Sequence, residues 1–429
     1  MESISSVNST YASTFDIDNA GKLYPIIDPK KRTSLFSLSL TMKEKVNDKI
    51  LERALLETLT RFPVFNVKLR KNFFWHYFVS NDKSPVITQG ELSDNLFIDK
   101  KLNNEFLFKV IYSENKISLI IFHALTDGAG AMVFVKALMN EYIKILGKNV
   151  FQTESIPKHK EKADQIFEGE DSFKKFYKNW KNGMKTKSKA YHFNGLREDS
   201  RRVNITVGTM KVEDLLKVTR EKDVTVTTYL TALYIYVLQN LQLSENRRRL
   251  RPIRIQVPIN LRTIYPSKTL RNFSSYVIPE LKTNRGEYSF SEIIDEVHHF
   301  FKLEINKRKL TAQFSDNVRM ENNPVIRRLP LFIKKPITLY ISYQLGQKCQ
   351  SGTLSNIGKV ELPEYMTEYI NKYEAILVPG KMTHSSCALA SYNNEIHIAF
   401  SRTIKESTLE SMFFSELIKN GINTKIEVF

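Results

Sequence analysis

Alternation of apolar and polar residues marks the first part of the chain as a series of strands and helices. Residues 34–42 (SLFSLSLTM) alternate as the residues of a half-buried strand do. From Asp48 to Arg61, apolar residues recur at helical spacing and predict an amphipathic helix. The same patterns predict strands at 65–70, 73–79, 105–113 and 116–123, and a helix from Gly130 to Leu146.

The chain changes character at residues 151–198, which are rich in charged residues and poor in isoleucine and valine. We interpret them as a surface crossover with one helix near 172–180. An almost wholly apolar helix is predicted at 225–242 and a long amphipathic helix at 291–309. The remaining pattern predicts strands at 201–208, 252–258, 337–345, 352–356, 373–378, 384–392 and 395–402, and helices at 211–220 and 406–419.

These elements predict an α/β protein built from two halves, each a mixed sheet flanked by helices. The chain has 429 residues, which is long for a single hydrophobic core. We therefore expect a first half at residues 1–150, the crossover at 151–198 and a second half at 199–429.

The composition indicates the class of protein and the cellular compartment to expect. Apolar residues make up 42% and charged residues 26%, as in ordinary globular proteins. The apolar runs are too short to cross a bilayer, and the first twenty residues lack the pattern of a signal peptide. The two cysteines allow neither a disulfide framework nor a CxxC metal site. We therefore expect a cytoplasmic protein without a transmembrane segment or a metal.

The formal net charge of +18 permits nucleic acid, anionic lipid or a phosphorylated cofactor as a partner. Lysine and arginine are spread along the chain. A basic surface that only keeps the protein in solution would give the same distribution. The densest cluster includes residues 247–249, and neither zinc-finger spacing nor a helix-turn-helix pattern accompanies it. We therefore expect no nucleic-acid partner.

The segment SLIIFHALTDGAG joins a predicted buried strand to a predicted helix and carries candidate chemistry. His123 comes at the end of the strand, where a rigidly held imidazole can accept a proton near neutral pH. Asp127 precedes the helix, where its side chain can cap free N–H groups. Gly128 and Gly130 allow positive φ and close approach. A core histidine beside a capping aspartate would give the same pattern, so the residues alone leave both interpretations open.

The run from His123 to Gly128 resembles the HxxxDG motif of the chloramphenicol acetyltransferase-like, CoA-dependent acyltransferases. Phe122 stands where members with a double histidine carry the first one, so the chain is more similar to the alcohol acetyltransferase branch than to condensation domains. The segment 257–277 resembles the family's N-x-R and N-F strand, and LSNIGKVELP (354–363) its bridging strand and loop.

The resemblance implies two acyltransferase halves with a tunnel between them and acyl-CoA as co-substrate. It implies that His123 is the general base, that Asp127 pairs with Arg262, and that Gly128 is structural. Ser355, Asn356 and Asn272 are the candidates for the oxyanion site or the tunnel lining. Lys268 and Arg271 are the candidates for contacts with CoA phosphates.

The expected reaction moves an acyl group, acetyl in the first instance, from CoA to a small alcohol or amine without an acyl-enzyme. One alternative is a condensation-like enzyme of lipid or natural-product synthesis that takes its acyl group from an acyl carrier protein. The other is a binding protein that retains the fold without catalysis. The sequence leaves the acceptor and the oligomeric state open.

Overall fold

The computed structural model describes residues 14–28, 30, 33–147, 167–183, 187–198, 202–245 and 249–429. In these ranges the strands are β1 (Thr14–Phe15), β2 (Leu35–Met42), β3 (Val67–Lys71), β4 (His76–Ser80), β5 (Ile87–Gln89), β6 (Phe108–Ser113), β7 (Lys116–Phe122), β8 (Asn204–Lys211), β9 (Ile253–Asn260), β10 (Ser274–Val277), β11 (Glu280–Leu281), β12 (Gly352–Lys359), β13 (Ile370–Leu377), β14 (Ser385–Tyr392), β15 (Glu395–Arg402) and β16 (Lys425–Val428).

The α-helices are α1 (Tyr24–Ile27), α2 (Asp48–Arg61), α3 (Leu92–Asn95), α4 (Gly128–Ile145), α5 (Ser172–Lys175), α6 (Val212–Glu221), α7 (Val226–Ser244), α8 (Phe290–Glu304), α9 (Lys307–Asn322), α10 (Pro324–Arg328), α11 (Leu331–Leu345), α12 (Glu364–Thr367) and α13 (Thr408–Lys419). A short 3₁₀ helix, Leu261–Thr263, follows β9 and carries Arg262.

The described strands form two large mixed sheets and one small antiparallel sheet. The first large sheet has the order β13-β2-β7-β6-β5. The second has the order β10-β9-β12-β14-β15-β8-β16, with β11 also paired to β9. In the second sheet β12 runs parallel to both β9 and β14, whereas β14, β15 and β8 pair antiparallel. The small sheet has the order β1-β4-β3. The expected α/β class with mixed sheets is confirmed.

Strand β13 belongs to the first large sheet, out of the order of the chain. Its residues come late in the sequence, yet it pairs antiparallel with β2 in the first sheet. The division into 1–150, 151–198 and 199–429 stays a prediction, since strand pairing does not follow chain order at this strand.

The second sheet packs on both faces, which explains its nearly continuous apolar strands. Along β14, Cys387 and Leu389 lie in the core formed with α7 and α13. The alternate residues Ala388 and Ala390 lie in the other core, together with α2, α4 and the first sheet. The period of two along the strand therefore places successive side chains in different cores.

Three sequence-based elements differ from the structure. The helix expected near 172–180 is only the single turn α5, Ser172–Lys175. The helix expected at 291–309 is broken into α8 and α9, because the Asn306 side chain accepts from the Lys309 N–H and starts a new helix. The prediction of a strand at 337–345 is wrong, since these residues belong to α11. None of residues 337–345 is fully buried, so their alternation does not mark one buried face of a strand.

Candidate active site

His123 lies directly after β7, in the turn that leads to α4. Its backbone N–H donates to the Ser34 carbonyl at 2.9 Å, which extends the pairing of β7 with β2 by one residue. The Tyr24 ring of α1 stacks on the imidazole, with 4.8 Å between ring centroids. The Phe36 ring lies 5.0 Å away on β2. The imidazole is therefore held between two aromatic rings at the end of a buried strand.

Asn272 fixes which ring nitrogen of His123 carries the proton. The Asn272 Nδ2 group donates to the His123 carbonyl and to Asp18 Oδ2, both at 3.0 Å. These two acceptors orient the amide so that Oδ1 lies 3.0 Å from His123 Nδ1. An amide oxygen can only accept, so Nδ1 carries the hydrogen and Nε2 carries the lone pair. The arrangement suits Nε2 as a proton acceptor.

The surroundings of His123 favour the neutral imidazole. Burial lowers the pKa of His123 below its usual 6.5, while the hydrogen bond with Asn272 and the charge of Asp127 raise it less. Near neutral pH the ring is therefore uncharged. A neutral ring can accept a proton, which a general base requires.

Asp127 organises the start of α4 and the loop after β9. It is the N-cap of α4, with Oδ1 accepting from the Gly130 N–H at 3.1 Å. Its Oδ2 accepts from Arg262 Nη1 at 2.9 Å and from the Phe273 N–H at 2.7 Å. Each carboxylate oxygen thus accepts at least one hydrogen bond from the protein. The carboxylate is a structural group that joins the His123 turn to the second half of the chain.

Arg262 completes this junction with bonds to the loop that carries Asn272. Its Nε donates to the Thr269 carbonyl at 3.0 Å and its Nη2 to the Arg271 carbonyl at 2.6 Å. The planar guanidinium can satisfy these acceptors and Asp127 together, which a lysine could not. The position of Asn272 next to His123 thus depends on the Asp127–Arg262 pair.

Gly128 of the motif and Gly130, two residues after it, have different roles. At Gly130 an added Cβ would lie 2.2 Å from Thr126 Oγ1 and 2.3 Å from the Leu270 carbonyl oxygen, so only glycine fits. At Gly128 an added Cβ would meet only Ile357 Cδ1, at 3.1 Å. Both residues lie within α4 and neither has positive φ, so of the two uses that glycine allows, only close approach is found, at Gly130.

Sequence reasoning missed Asp18 and Tyr24, which reach the site from the first described segment. The Asp18 side chain is buried and also accepts from the Asn272 and Gly21 N–H groups. Burial, followed by the charge of Asp171, raises the pKa of Asp18 to about 7, against the opposing hydrogen bonds. No spacing in the sequence links Asp18 to Asn272, since 254 positions separate them.

The expected oxyanion candidates lie in different surroundings. Asn272 is buried and its amide bonds to the His123 turn, so its place in the structure is that of a positioning residue instead of an oxyanion donor. The Asn356 Nδ2 donates to Thr227 Oγ1 at 3.0 Å, and its Oδ1 accepts from the Gly358 N–H. Ser355 precedes it on β12, the strand whose Ile357 approaches Gly128.

The two residues expected to bind CoA phosphates also lie in different surroundings. Lys268 is exposed, whereas Arg271 is buried, with Nη1 donating to the Leu125 carbonyl at 3.3 Å and its guanidinium 4.6 Å from the Phe78 ring centroid. Arg271 also lines a cavity of about 900 Å³ together with Asp16, Asn72, Tyr77, Asp171 and Lys174. This cavity does not include His123 among its lining residues. The tunnel and the CoA contacts stay predictions.

Within the described residues, no cluster of histidine, cysteine, aspartate and glutamate could hold a metal ion. The described helices include none that is long and apolar enough to cross a membrane.

No protein-family model and no curated protein sequence matches this chain. Solved structures do match its fold. A condensation domain of the calcium-dependent antibiotic synthetase, in complex with a substrate analogue, is 12% identical, with 97% of this chain and 99% of that chain covered and a TM-score of 0.61.

Two further structures match over most of their length. Trichothecene 15-O-acetyltransferase TRI3 from Fusarium sporotrichioides is 8% identical, with 94% and 93% of the two chains covered and a TM-score of 0.60. The starter condensation domain of rhizomide synthetase, in complex with C8-CoA, is 10% identical, with 95% and 94% covered and a TM-score of 0.58. The chain therefore has the fold shared by acyltransferases and condensation domains.

Proposed function

We propose that this protein is an acyltransferase that moves an acyl group, acetyl in the first instance, from CoA to a hydroxyl acceptor, with His123 as general base. The hydrogen bond between Asn272 and His123 Nδ1 carries the proposal, because it leaves the lone pair on Nε2. The lowered pKa of His123 keeps that nitrogen free to accept a proton near neutral pH. The shared fold of an acetyltransferase adds support.

The proposed reaction needs one proton carrier and no covalent enzyme intermediate. His123 Nε2 takes the hydroxyl proton as the acceptor oxygen attacks the thioester carbonyl carbon. The tetrahedral intermediate then collapses, the carbon–sulfur bond breaks, and the imidazolium returns the proton to the departing thiolate. Asn272 keeps Nδ1 protonated throughout, so the same nitrogen receives and returns the proton.

The oxyanion of the intermediate needs hydrogen-bond donors, each contributing about 3–4 kcal/mol to lowering the barrier. Ser355 is our candidate, because Ile357 two residues later on β12 contacts the start of α4 beside the His123 turn. The Asn356 amide is the weaker candidate, since it already bonds to Thr227 and Gly358. Lys268 is the exposed cation that we propose for the CoA phosphates, with Arg271 held within the fold.

A second candidate function is condensation-like transfer from an acyl carrier protein. The net charge of +18 favours it as much as it favours CoA, because carrier proteins are acidic partners. The fold of the condensation domains is compatible with it. Because the rhizomide synthetase domain was solved with C8-CoA, acyl-CoA is the first donor to test.

The test is the release of free thiol from acetyl-CoA across a panel of alcohols and amines. We expect acceptor-dependent release by the native protein and none above background by His123→Ala, with unchanged circular dichroism. His299→Ala is the matched control, since His299 is exposed on α8. Release by His123→Ala at the native rate would exclude His123 as the base. Transfer only from acyl carrier protein would support the second candidate, and no transfer with either donor would indicate a binding protein.

A further inference from the structure

Helix α11 turns three polar residues towards the protein and most of its apolar residues towards solvent. Lys334 is its buried residue, and Thr338 and Ser342 on the same side are half-buried. Phe332 is 70% exposed and Tyr340 65% exposed. The other exposed apolar side chains of this helix are Ile333, Ile337, Leu339, Ile341 and Tyr343. A surface helix of a globular protein ordinarily has the opposite arrangement.

Neighbouring segments extend this surface. Phe73 and Phe74, in the loop between β3 and β4, are 61% and 40% exposed, and Val325 of α10 is 68% exposed. The Phe73 ring meets the Phe332 ring edge-on, with 6.4 Å between centroids. We name these three residues and the exposed apolar side chains of α11 the apolar patch. Contiguous apolar surface of this kind marks sites of interaction.

The outward orientation of the apolar patch is fixed by bonds beneath it. Lys334 Nζ donates to the Phe74 carbonyl at 3.0 Å and to the Arg327 carbonyl at 3.3 Å. The same ammonium lies 3.6 Å from the Trp75 ring centroid. The Leu331 N–H donates to the Phe73 carbonyl at 2.8 Å. Rotation of α11 to bury its apolar side would break these contacts and expose the partners of a buried ammonium.

The charged residues of the segment that carries most of the apolar patch are all basic. The sequence contains no aspartate or glutamate from residue 322 to residue 360. Arg327, Arg328 and Lys335 are exposed beside the apolar side chains. A cavity of about 390 Å³ is lined by Phe74, Asn322, Pro324, Arg327 and Arg328. Cations flanking aromatic and aliphatic side chains are typical of helices that lie in the interface of an anionic bilayer.

We propose that the apolar patch docks on the surface of an anionic lipid bilayer. The apolar side chains enter the boundary between headgroups and acyl chains, and Arg327, Arg328 and Lys335 meet lipid phosphates. Helix α11 has 15 residues and so a length of about 22 Å, too short to cross a hydrocarbon core of about 30 Å. A second copy of the chain suits the patch less well, because a twofold contact would bring the same cations together.

This docking would also place the candidate active site near the bilayer. Helix α11 contacts α1, whose Tyr24 ring stacks on His123. The docking itself is independent of acyl transfer, so the two proposals can fail separately.

Binding to vesicles tests the proposal, with Trp75 as the reporter. Trp180→Phe leaves Trp75 as the single tryptophan of the chain. We expect a blue shift of its emission and co-sedimentation with vesicles of phosphatidylcholine mixed with phosphatidylglycerol. Raising the salt from about 0.1 M to about 1 M shortens the screening length from about 10 Å to about 3 Å and should release much of the protein.

Variants assign the binding to the patch. Phe332→Ser with Tyr340→Ser should weaken vesicle partitioning at least ~10-fold, because two large apolar side chains no longer enter the bilayer. Arg327→Gln with Arg328→Gln should weaken it about 30-fold, at ~1 kcal/mol for each cation. The matched controls are the exposed pairs Leu196→Ser with Leu303→Ser, and Lys217→Gln with Arg220→Gln.

The proposal holds if the controls bind as the native protein does, and if His123→Ala also binds normally. Absence of vesicle binding, or equal loss in the control pairs, would overturn it. Concentration-dependent self-association that the Phe332 and Tyr340 substitutions abolish, without vesicle binding, would assign the patch to a second copy instead. Thermal unfolding of each variant separates loss of binding from loss of fold.

Discussion

Around Asp127 the polar groups lie inside the molecule, whereas along α11 the apolar groups lie outside it. The Asp127 carboxylate is almost fully buried and bonds to Gly130, Arg262 and Phe273. On α11, Lys334 is buried while Phe332 and Tyr340 are exposed. A buried polar group without its partner is costly, whereas an exposed apolar side chain contributes little to folding. Substitutions should therefore lower the stability of the fold strongly around Asp127 and little along α11.

The largest effect on stability should come from breaking the ion pair of Asp127 and Arg262. Asp127→Asn should lower the free energy of unfolding by about 3–5 kcal/mol, because it leaves the half-buried guanidinium without its countercharge. Denaturant unfolding measures this change. Arg262→Gln and the double variant complete the cycle, and the double variant should cost little more than either single one. Lost activity with unchanged unfolding would contradict a structural role for Asp127.

The second-largest effect should be on catalysis, from removal of the Asn272 amide. Asn272→Leu cannot accept from His123 Nδ1, so the imidazole is free to adopt the wrong tautomer. We expect kcat to fall about 100-fold with a small change in KM, within the range that general acid–base groups contribute. Steady-state kinetics and the pH profile of kcat test this. A change confined to KM would contradict a positioning role for Asn272.

Gly128 and Gly130 give a matched pair with an intermediate effect. Gly130→Ala should destabilise the protein by about 1–3 kcal/mol, because its methyl group would overlap the Leu270 carbonyl. Gly128→Ala meets only the flexible end of Ile357 and should cost less. Thermal unfolding of both variants measures the difference. Equal destabilisation would contradict the close approach inferred at Gly130.

The smallest effect on folding should come from α11. Phe332→Ser with Tyr340→Ser should change the free energy of unfolding by less than about 0.5 kcal/mol, as for other exposed positions. Phe134 lies in the core formed by α2, α4 and the first sheet. Phe134→Ala should lower the free energy of unfolding by about 3–5 kcal/mol and serves as the contrast. Denaturant unfolding compares the two. A large loss in the α11 variant would show that the apolar patch packs within the protein.

The same contrast explains what the sequence could predict. Periodicity located α2 at Asp48–Arg61, where one side is buried, and β15 at Glu395–Arg402, where large apolar residues alternate with small or polar ones. It failed at α11, where apolar residues face outwards and their order does not reflect a core. The resemblance to a known family suggested Arg262 as the partner of Asp127, and the structure places them 2.9 Å apart. Asp18 and Tyr24 were missed because only folding brings them to His123.

Nuclear magnetic resonance of the ring nitrogens shows directly whether His123 is a neutral imidazole with its proton on Nδ1. In protein labelled with ¹⁵N at histidine, the His123 signals are assigned by their loss in His123→Ala. We expect the Nδ1–H tautomer near neutral pH and a pKa of His123 below 6.5, since burial outweighs the bond to Asn272. An Nε2–H tautomer, or a pKa above that value, would contradict His123 as the resting general base.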